Sequence, residues 1–111
     1  MTKIKIYRQN ENIVGFESSG HSGYAEYGSD IVCSAISSIL LTSIIGLERV
    51  LGVAIKTTRD DKKGYLKVVL KNSELDAQKS QVIFQTMLQG LKEVERAYKK
   101  YLKLEDDYEI F

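Results

Sequence analysis

Residues 13–40 read IVGFESSGHSGYAEYGSDIVCSAISSIL, and within this stretch the pattern changes from strand to loop to helix. Its first five residues are mostly β-branched or aromatic, which favours a strand. Residues 18–29 hold three glycines within nine positions and therefore predict a loop with unusual backbone angles. From Asp30 onward the chain turns apolar, and either Asp30 or Ser29 is a suitable N-cap for the helix that follows.

The helix predicted over residues 31–51 is apolar around more of its circumference than one sheet would cover. Its main apolar stripe consists of Val32, Ile36, Ile39, Leu40, Leu47 and Val50. Leu41 and Ile45 fall well off this stripe, so we expect the helix to lie deep in the fold or under a second surface, such as another subunit. Five Ser or Thr residues, with Glu48 and Arg49, make the segment too polar to be expected to span a membrane.

Two strand pairs flank this helix. The first pairs residues 3–8, where apolar and charged residues alternate, with residues 13–17 across a polar, asparagine-containing turn. The second pairs residues 53–58 with residues 65–70 across a charged turn at residues 59–64. Both pairs are predicted to be hairpins.

A second, longer helix is predicted to begin at Asn72 and Ser73, and Ser73 and Asp76 have the spacing of a capping box. The residues that keep helical apolar spacing are Phe84, Met87, Leu88, Leu91, Val94, Tyr98, Tyr101 and Leu102. The tail, residues 108–111, is a candidate for a short edge strand. The order β-β-α-β-β-α predicts an α+β two-layer sandwich: a mostly antiparallel sheet with two helices on one face and, if the tail pairs, a final edge strand.

The chain has 111 residues, and we expect residues 1–111 to form one domain with a core that needs no disulfide or metal. Sixteen basic and fifteen acidic residues give a net charge of +1, which excludes a dominant basic nucleic-acid arm or acidic tail. One Cys excludes an intrachain disulfide, and one Cys with one His cannot supply the four ligands of an ordinary zinc site. We therefore expect no metal and no cofactor. The single Cys and the lack of an apolar leader favour the cytoplasm.

The only Cys and the only His lie twelve residues apart. Cys33 falls near the third position of the predicted helix, where first-turn N–H groups and the helix dipole stabilise a thiolate. His21, in the glycine-rich loop, could pair with that thiolate and act as a base, and first-turn N–H groups could form an oxyanion hole. The alternative is a small buried Cys and a solvated loop His, which are common in proteins without catalysis.

Two neighbours of this pair each allow two roles. Asp30 fits an N-cap, which stabilises a helix by about 1 kcal/mol, or a third catalytic member that orients His21. Ser37 lies one turn after Cys33 and can hydrogen-bond the thiol or a substrate, or bond back to its own helix.

The loop itself offers three further candidates. Gly20 provides conformational freedom beside His21. Tyr24 and Tyr27 can wall a substrate groove or cover the edge of the core. The glycine spacing does not match a phosphate-binding loop, so nucleotide binding is weakly supported.

Residues 20–37, GHSGYAEYGSDIVCSAIS, resemble the signature of the ribosomal-processing cysteine protease Prp family, G-H-A…Y…G-x-D-I-V-C-A-A-x-S. The similarity extends along the chain, through an opening strand of I-x-I-x-R type, GYLKV at residues 64–68 and GLKEV at residues 90–94. Ser22 and Ser34 stand where this family usually has Ala. Both are small residues, so the departures leave the chemistry intact.

The resemblance implies a bacterial cytosolic endopeptidase that removes a short N-terminal extension from a large-subunit ribosomal protein, a step needed for ribosome assembly. It implies Cys33 as the nucleophile and His21 as the general base and acid. It also implies a groove lined by apolar or aromatic groups, and a homodimer, which fits the excess apolar surface of the first helix. Neither a membrane nor direct contact with nucleic acid is required for this activity.

A second hypothesis is a non-catalytic module that binds the ribosome or another protein and in which Cys33 is structural. The near-neutral charge argues against strong RNA binding. One basic group does occur near the end of the second helix: Lys92, Arg96, Lys99, Lys100 and Lys103. We interpret this group as a solvated helix face. A redox sensor is a third idea, but the chain has no second Cys to resolve an oxidised thiol.

Overall fold

The computed structural model describes residues 1–26 and 28–108. The strands in these residues are β1 (Thr2–Gln9), β2 (Asn12–Ser19), β3 (Ile55–Asp60), β4 (Tyr65–Leu70) and β5 (Leu102–Asp107). They form one mixed sheet in the order β3-β4-β2-β1-β5. Neighbouring strands are antiparallel except β1 and β5, which run parallel. The predicted α+β class, with a mostly antiparallel sheet, is confirmed.

Both predicted hairpins are present. In the first, Ile6 lies opposite Phe16, and the register shifts once, between Tyr7 and Arg8. The second hairpin has a shorter turn than predicted, because β3 continues through Asp60, which pairs with Tyr65. Charged side chains there remain solvated on an exposed strand, so their charge does not stop the backbone from pairing.

The first helix, α1 (Ile31–Ile45), continues into one turn of π-helix at Gly46–Val50. The N–H of Leu51 donates to the carbonyl oxygen of Gly46, five residues earlier. Four residues of the predicted stripe are buried: Val32, Ile36, Leu40 and Leu47. Val50 is 77% exposed, contrary to the prediction, because a wider π turn rotates less per residue and carries Val50 off the stripe.

The excess apolar surface expected on α1 is observed. Leu41 is 37% exposed and Ile45 is 44% exposed. The expectation that this segment is too polar to span a membrane is not supported, since Ile31–Val50 is long and apolar enough by length and composition. The same composition is found in core helices, and Val32 and Ile36 pack in the core of this fold.

The second helix, α2 (Ser73–Ala97), is shorter than its apolar spacing predicted. The chain turns after Ala97, and Leu102 begins β5 instead of continuing the helix. The predicted capping box is also absent: Asn72 is the N-cap, and its carbonyl oxygen accepts the N–H of Asp76. The final edge strand exists but lies before the predicted tail, since residue 108 is not in a strand and residues 109–111 lie outside the described part of the chain.

The two helices pack against each other, and their buried residues share one hydrophobic core with the sheet. The largest fully buried side chains are Phe16, Phe84, Ile4, Ile6, Ile13, Leu47, Met87, Leu91, Leu102, Val14, Val32 and Val68. The sheet also carries polar contacts, among them a 2.5 Å hydrogen bond from the hydroxyl of Tyr65 to Oε1 of Glu17. This bond and burial raise the pKa of Tyr65 to about 12.

Candidate active site

The start of α1 holds Cys33 in the first helical turn, as the sequence predicted. Asp30 is the N-cap, and its Oδ1 accepts the N–H of Cys33 at 2.9 Å. The carbonyl oxygen of Asp30 accepts the N–H of Ser34 at 3.0 Å. These two N–H groups are therefore engaged by the cap, so they do not form the oxyanion hole expected from the first turn.

The second carboxylate oxygen of Asp30 holds the glycine-rich loop in place through hydrogen bonds. Oδ2 accepts hydrogen bonds from the hydroxyl of Ser22, from the N–H of Tyr24 at 3.1 Å and from the N–H of Ala25 at 3.4 Å. Burial alone would raise the pKa of Asp30, but the bonds from Ser22, Cys33, Ala25 and Tyr24 outweigh it and lower the pKa below its usual value. Asp30 therefore remains a charged anchor between the loop and the helix.

His21, Cys33 and Ser37 all line the same two cavities. The first has a volume of about 200 Å³ and is also lined by Gly20. The second has a volume of about 520 Å³ and is also lined by Asp30. The fold thus brings five of the sequence-predicted site residues to the walls of two adjoining spaces.

Cys33 is only half-buried, while His21 and Ser37 are exposed. A thiol in this position can be reached from the cavities, unlike the fully buried Cys of the non-catalytic alternative. A nucleophile, an imidazole and a hydroxyl at one accessible site is an arrangement suited to acyl transfer.

Four apolar residues are among those that line the first cavity: Ile36, Leu40, Leu41 and Leu66. Arg59 and Asp61 also line it, and Nε of Arg59 lies 2.6 Å from Oδ1 of Asp61. Such a cavity can accept an apolar or aromatic side chain of a peptide. Within residues 1–26 and 28–108, no group of three or more His, Cys, Asp or Glu is placed to hold a metal ion.

The glycine-rich loop has the unusual backbone predicted for it, since φ is +85° at Gly20, +76° at Gly23 and +92° at Gly28. Tyr24 packs edge-on against Tyr98 and Tyr101, with ring centroids 5.6 and 5.2 Å apart. It thereby covers the edge of the fold and is not among the residues that line the two cavities.

The other tyrosine proposed for the groove, Tyr27, lies outside the described residues.

Two residues at the site were not predicted to act there. In the sequence, Ser22 is only a departure from the family pattern, yet its buried side chain donates a hydrogen bond to Asp30. Gly64, at the end of the charged turn, lines the first cavity and lies against His21. For Ser22, the only sequence signal of a role at the site is its position next to the single His, and this signal is weak. For Gly64 the sequence has no such signal, because its position beside His21 depends on strand pairing.

The family model described as Cysteine protease Prp matches residues 1–103. The chain belongs to the cysteine protease Prp family. It is therefore a cysteine protease by family, and the resemblance seen in residues 20–37 extends over residues 1–103.

Curated relatives and a solved structure agree with membership in the Prp family. The chain is 28% identical over 108 residues to the "Ribosomal processing cysteine protease Prp" of Bacillus subtilis, covering 94% of this chain and 96% of that protein. It is 29% identical over 85 residues to the protein of the same name from Staphylococcus aureus, covering 77% and 78%. A crystal structure of Prp from S. aureus with a covalently linked product peptide superposes with a TM-score of 0.87 at 26% identity, covering 96% of this chain and 100% of that one.

Proposed function

We propose that this protein is a bacterial cytoplasmic endopeptidase that removes the N-terminal extension of a large-subunit ribosomal protein by Cys-His acyl transfer. The observation that carries the proposal is the placement of the only thiol, in the first turn of α1, on two cavities that it shares with the only imidazole. The names of the B. subtilis and S. aureus relatives, which are ribosomal processing proteases, support this choice of substrate.

In the proposed reaction, His21 takes the thiol proton of Cys33, and the resulting thiolate attacks the scissile carbonyl carbon, forming a C–S bond and a tetrahedral oxyanion. His21 then donates a proton to the leaving amine as the C–N bond breaks. In the second half, His21 takes a proton from water, which attacks the thioester carbonyl and releases Cys33. The product peptide bound covalently in the S. aureus structure supports a covalent intermediate of this kind.

Asp30 and Ser37 have supporting roles in this proposal. The bonds of Asp30 to the loop and to the N–H of Cys33 favour a role as helix cap and loop anchor. Ser37 has a hydroxyl on both cavities and is a candidate to hydrogen-bond the thiol or the substrate oxyanion, since the N–H groups of Cys33 and Ser34 are engaged. Gly20 supports the backbone geometry beside His21.

We also propose that the protein is a homodimer. An apolar groove of about 590 Å³ lies between α1 and α2, lined by Ile39, Val50, Ile83 and Met87 among others. Val50 at its edge is 77% exposed. A second copy of the chain would remove this surface from water, which stabilises an assembly by about 25 cal/mol per Å² of apolar area before association costs.

The test is incubation of the purified protein with the N-terminal extension peptide of the co-occurring ribosomal protein, with products identified by mass spectrometry. We expect cleavage by the wild type and none by Cys33→Ala, with an unchanged far-UV spectrum. Ser80→Ala is a matched control, because Ser80 is buried on α2, away from both cavities. Undiminished cleavage by Cys33→Ala would exclude the mechanism. Peptide binding without cleavage by the wild type would support the binding-module hypothesis.

A further inference from the structure

The turn between β3 and β4 lies directly beside the loop that carries His21. Ser18 of β2 pairs with Leu66 of β4, and beyond this pair the carbonyl oxygen of Gly20 lies close to Gly64. Gly64 closes the turn, since its N–H donates to the carbonyl oxygen of Asp61 at 3.2 Å. Strand pairing therefore places Gly64 next to the residue that precedes His21.

The His21 ring lies against the bare backbone of Gly64. A Cβ added at Gly64 would be 2.9 Å from Cε1 and 3.1 Å from Nε2 of His21, and 2.9 Å from the carbonyl oxygen of Gly20. Contacts this short between heavy atoms are repulsive. The imidazole can keep this position only while residue 64 has no side chain.

We propose that Gly64 is a positioning residue that holds the imidazole of His21 at the wall of the cavity it shares with Cys33. Gly20, His21, Cys33 and Gly64 all line that cavity of about 200 Å³. A side chain at position 64 would displace the imidazole ring from that wall, and this ring is the group that exchanges protons with the substrate. This inference rests on the proposed catalytic role of His21.

The competing explanation for Gly64 is backbone strain alone. Its φ is +61°, a conformation that favours glycine whatever surrounds it. Gly52 separates the two explanations, because its φ is +68° and an added Cβ there would meet nothing within 4 Å. A substitution to Asn separates the two explanations at position 64 itself. Asn tolerates positive φ, so it relieves the backbone strain, but it still carries the Cβ that would contact His21.

The experiment compares Gly64→Ala, Gly64→Asn and Gly52→Ala in steady-state cleavage of the extension peptide. A catalytic group displaced by about 1 Å can cost roughly 100-fold, so we expect kcat to fall about 10- to 100-fold in both Gly64 variants, with KM changed less than about threefold. Gly52→Ala should keep a kcat close to that of the wild type. Thermal melts identify any Gly64 variant that fails to fold.

A second measurement does not depend on activity. His21 is the only His, so its ring gives one Cε1–H signal in a ¹H–¹³C NMR spectrum. That signal should move in both Gly64 variants and stay in place in Gly52→Ala. The proposal is overturned if the signal is unmoved at position 64, or if Gly64→Asn and Gly52→Ala have the same kcat. If the wild type cleaves nothing, the proposed function fails, while the NMR comparison still tests the contact.

Discussion

Ser22 donates a hydrogen bond from its hydroxyl to Oδ2 of Asp30, the residue that caps the helix carrying Cys33. Ser22 follows His21 directly in the chain and is only 1% exposed. One buried carboxylate therefore connects the segment with the imidazole to the segment with the thiol. A change in this connection should therefore alter the positions of both the imidazole and the thiol.

Replacing Ser22 with Ala should loosen the loop and destabilise the fold by about 1.5–3 kcal/mol, the range for hydrogen bonds to charged groups. Chemical denaturation measures the stability, and hydrogen exchange at residues 20–26 measures the loop. Ser80→Ala is the matched control, because Ser80 is fully buried and its hydroxyl has no hydrogen-bond partner among the described residues. If both variants lose the same stability, the bond to Asp30 has no special importance.

Replacing Asp30 with Asn should change how stability depends on pH. The lowered pKa of Asp30 in the folded state means that the unfolded chain binds its proton first as pH falls. The stability from the charged form is therefore complete above about pH 4, near the unfolded pKa, and is lost as pH falls through the lower folded value. We expect Asp30→Asn to be less stable at pH 7 by about 1–2 kcal/mol, and the difference to shrink in acid.

Urea denaturation from pH 7 to pH 2.5 checks this prediction. Asp61→Asn serves as the control, because its ion pair with Arg59 is exposed on both sides and contributes little. A constant stability difference between wild type and Asp30→Asn over this range would contradict the assigned direction of the pKa shift.

The reactivity of Cys33 should depend on His21. If the imidazole pairs with the thiolate, His21→Ala should slow alkylation of Cys33 by iodoacetamide at pH 7 several-fold. The chain has one Cys, so the mass increase reports this site alone. Equal rates in the wild type and His21→Ala would show that the ring does not activate the thiol.

The oligomeric state should depend on Val50. Val50→Glu places a charge in the groove between α1 and α2 and should convert a dimer into a monomer in sedimentation velocity. Val82→Glu is a close control, because Val82 is also 77% exposed but is not among the residues that line the groove. A wild-type protein that is monomeric at tens of micromolar, or a dimer retained by Val50→Glu, would refute the proposed interface.

Local patterns predicted most of the elements and failed where a pattern had two structural solutions. The alternation in residues 3–8 has one interpretation, and the strand is found. The cap residues before α1 left two candidates, Ser29 and Asp30, and the structure has Asp30 as the N-cap. The apolar spacing through Tyr98 and Leu102 fits either a helix or a turn into a strand. Here the strand is formed, because residues from Leu102 onward pair in parallel with β1, with Leu102 opposite Thr2. Likewise, the π turn changes the rotation per residue and places Val50 at the surface, and the sequence contains no recognisable signal for such a turn.

The sequence by itself determined the chemistry available to this protein, because it contains one thiol and one imidazole and places the thiol at a helix start. Short-range effects, namely capping, glycine conformations and apolar periodicity, act between residues close in the chain and can be recognised there. Only the tertiary structure decided which distant residues meet these two groups. The contact of Gly64 with His21 arises from the register between β2 and β4, and strand register depends on the packing of the whole sheet.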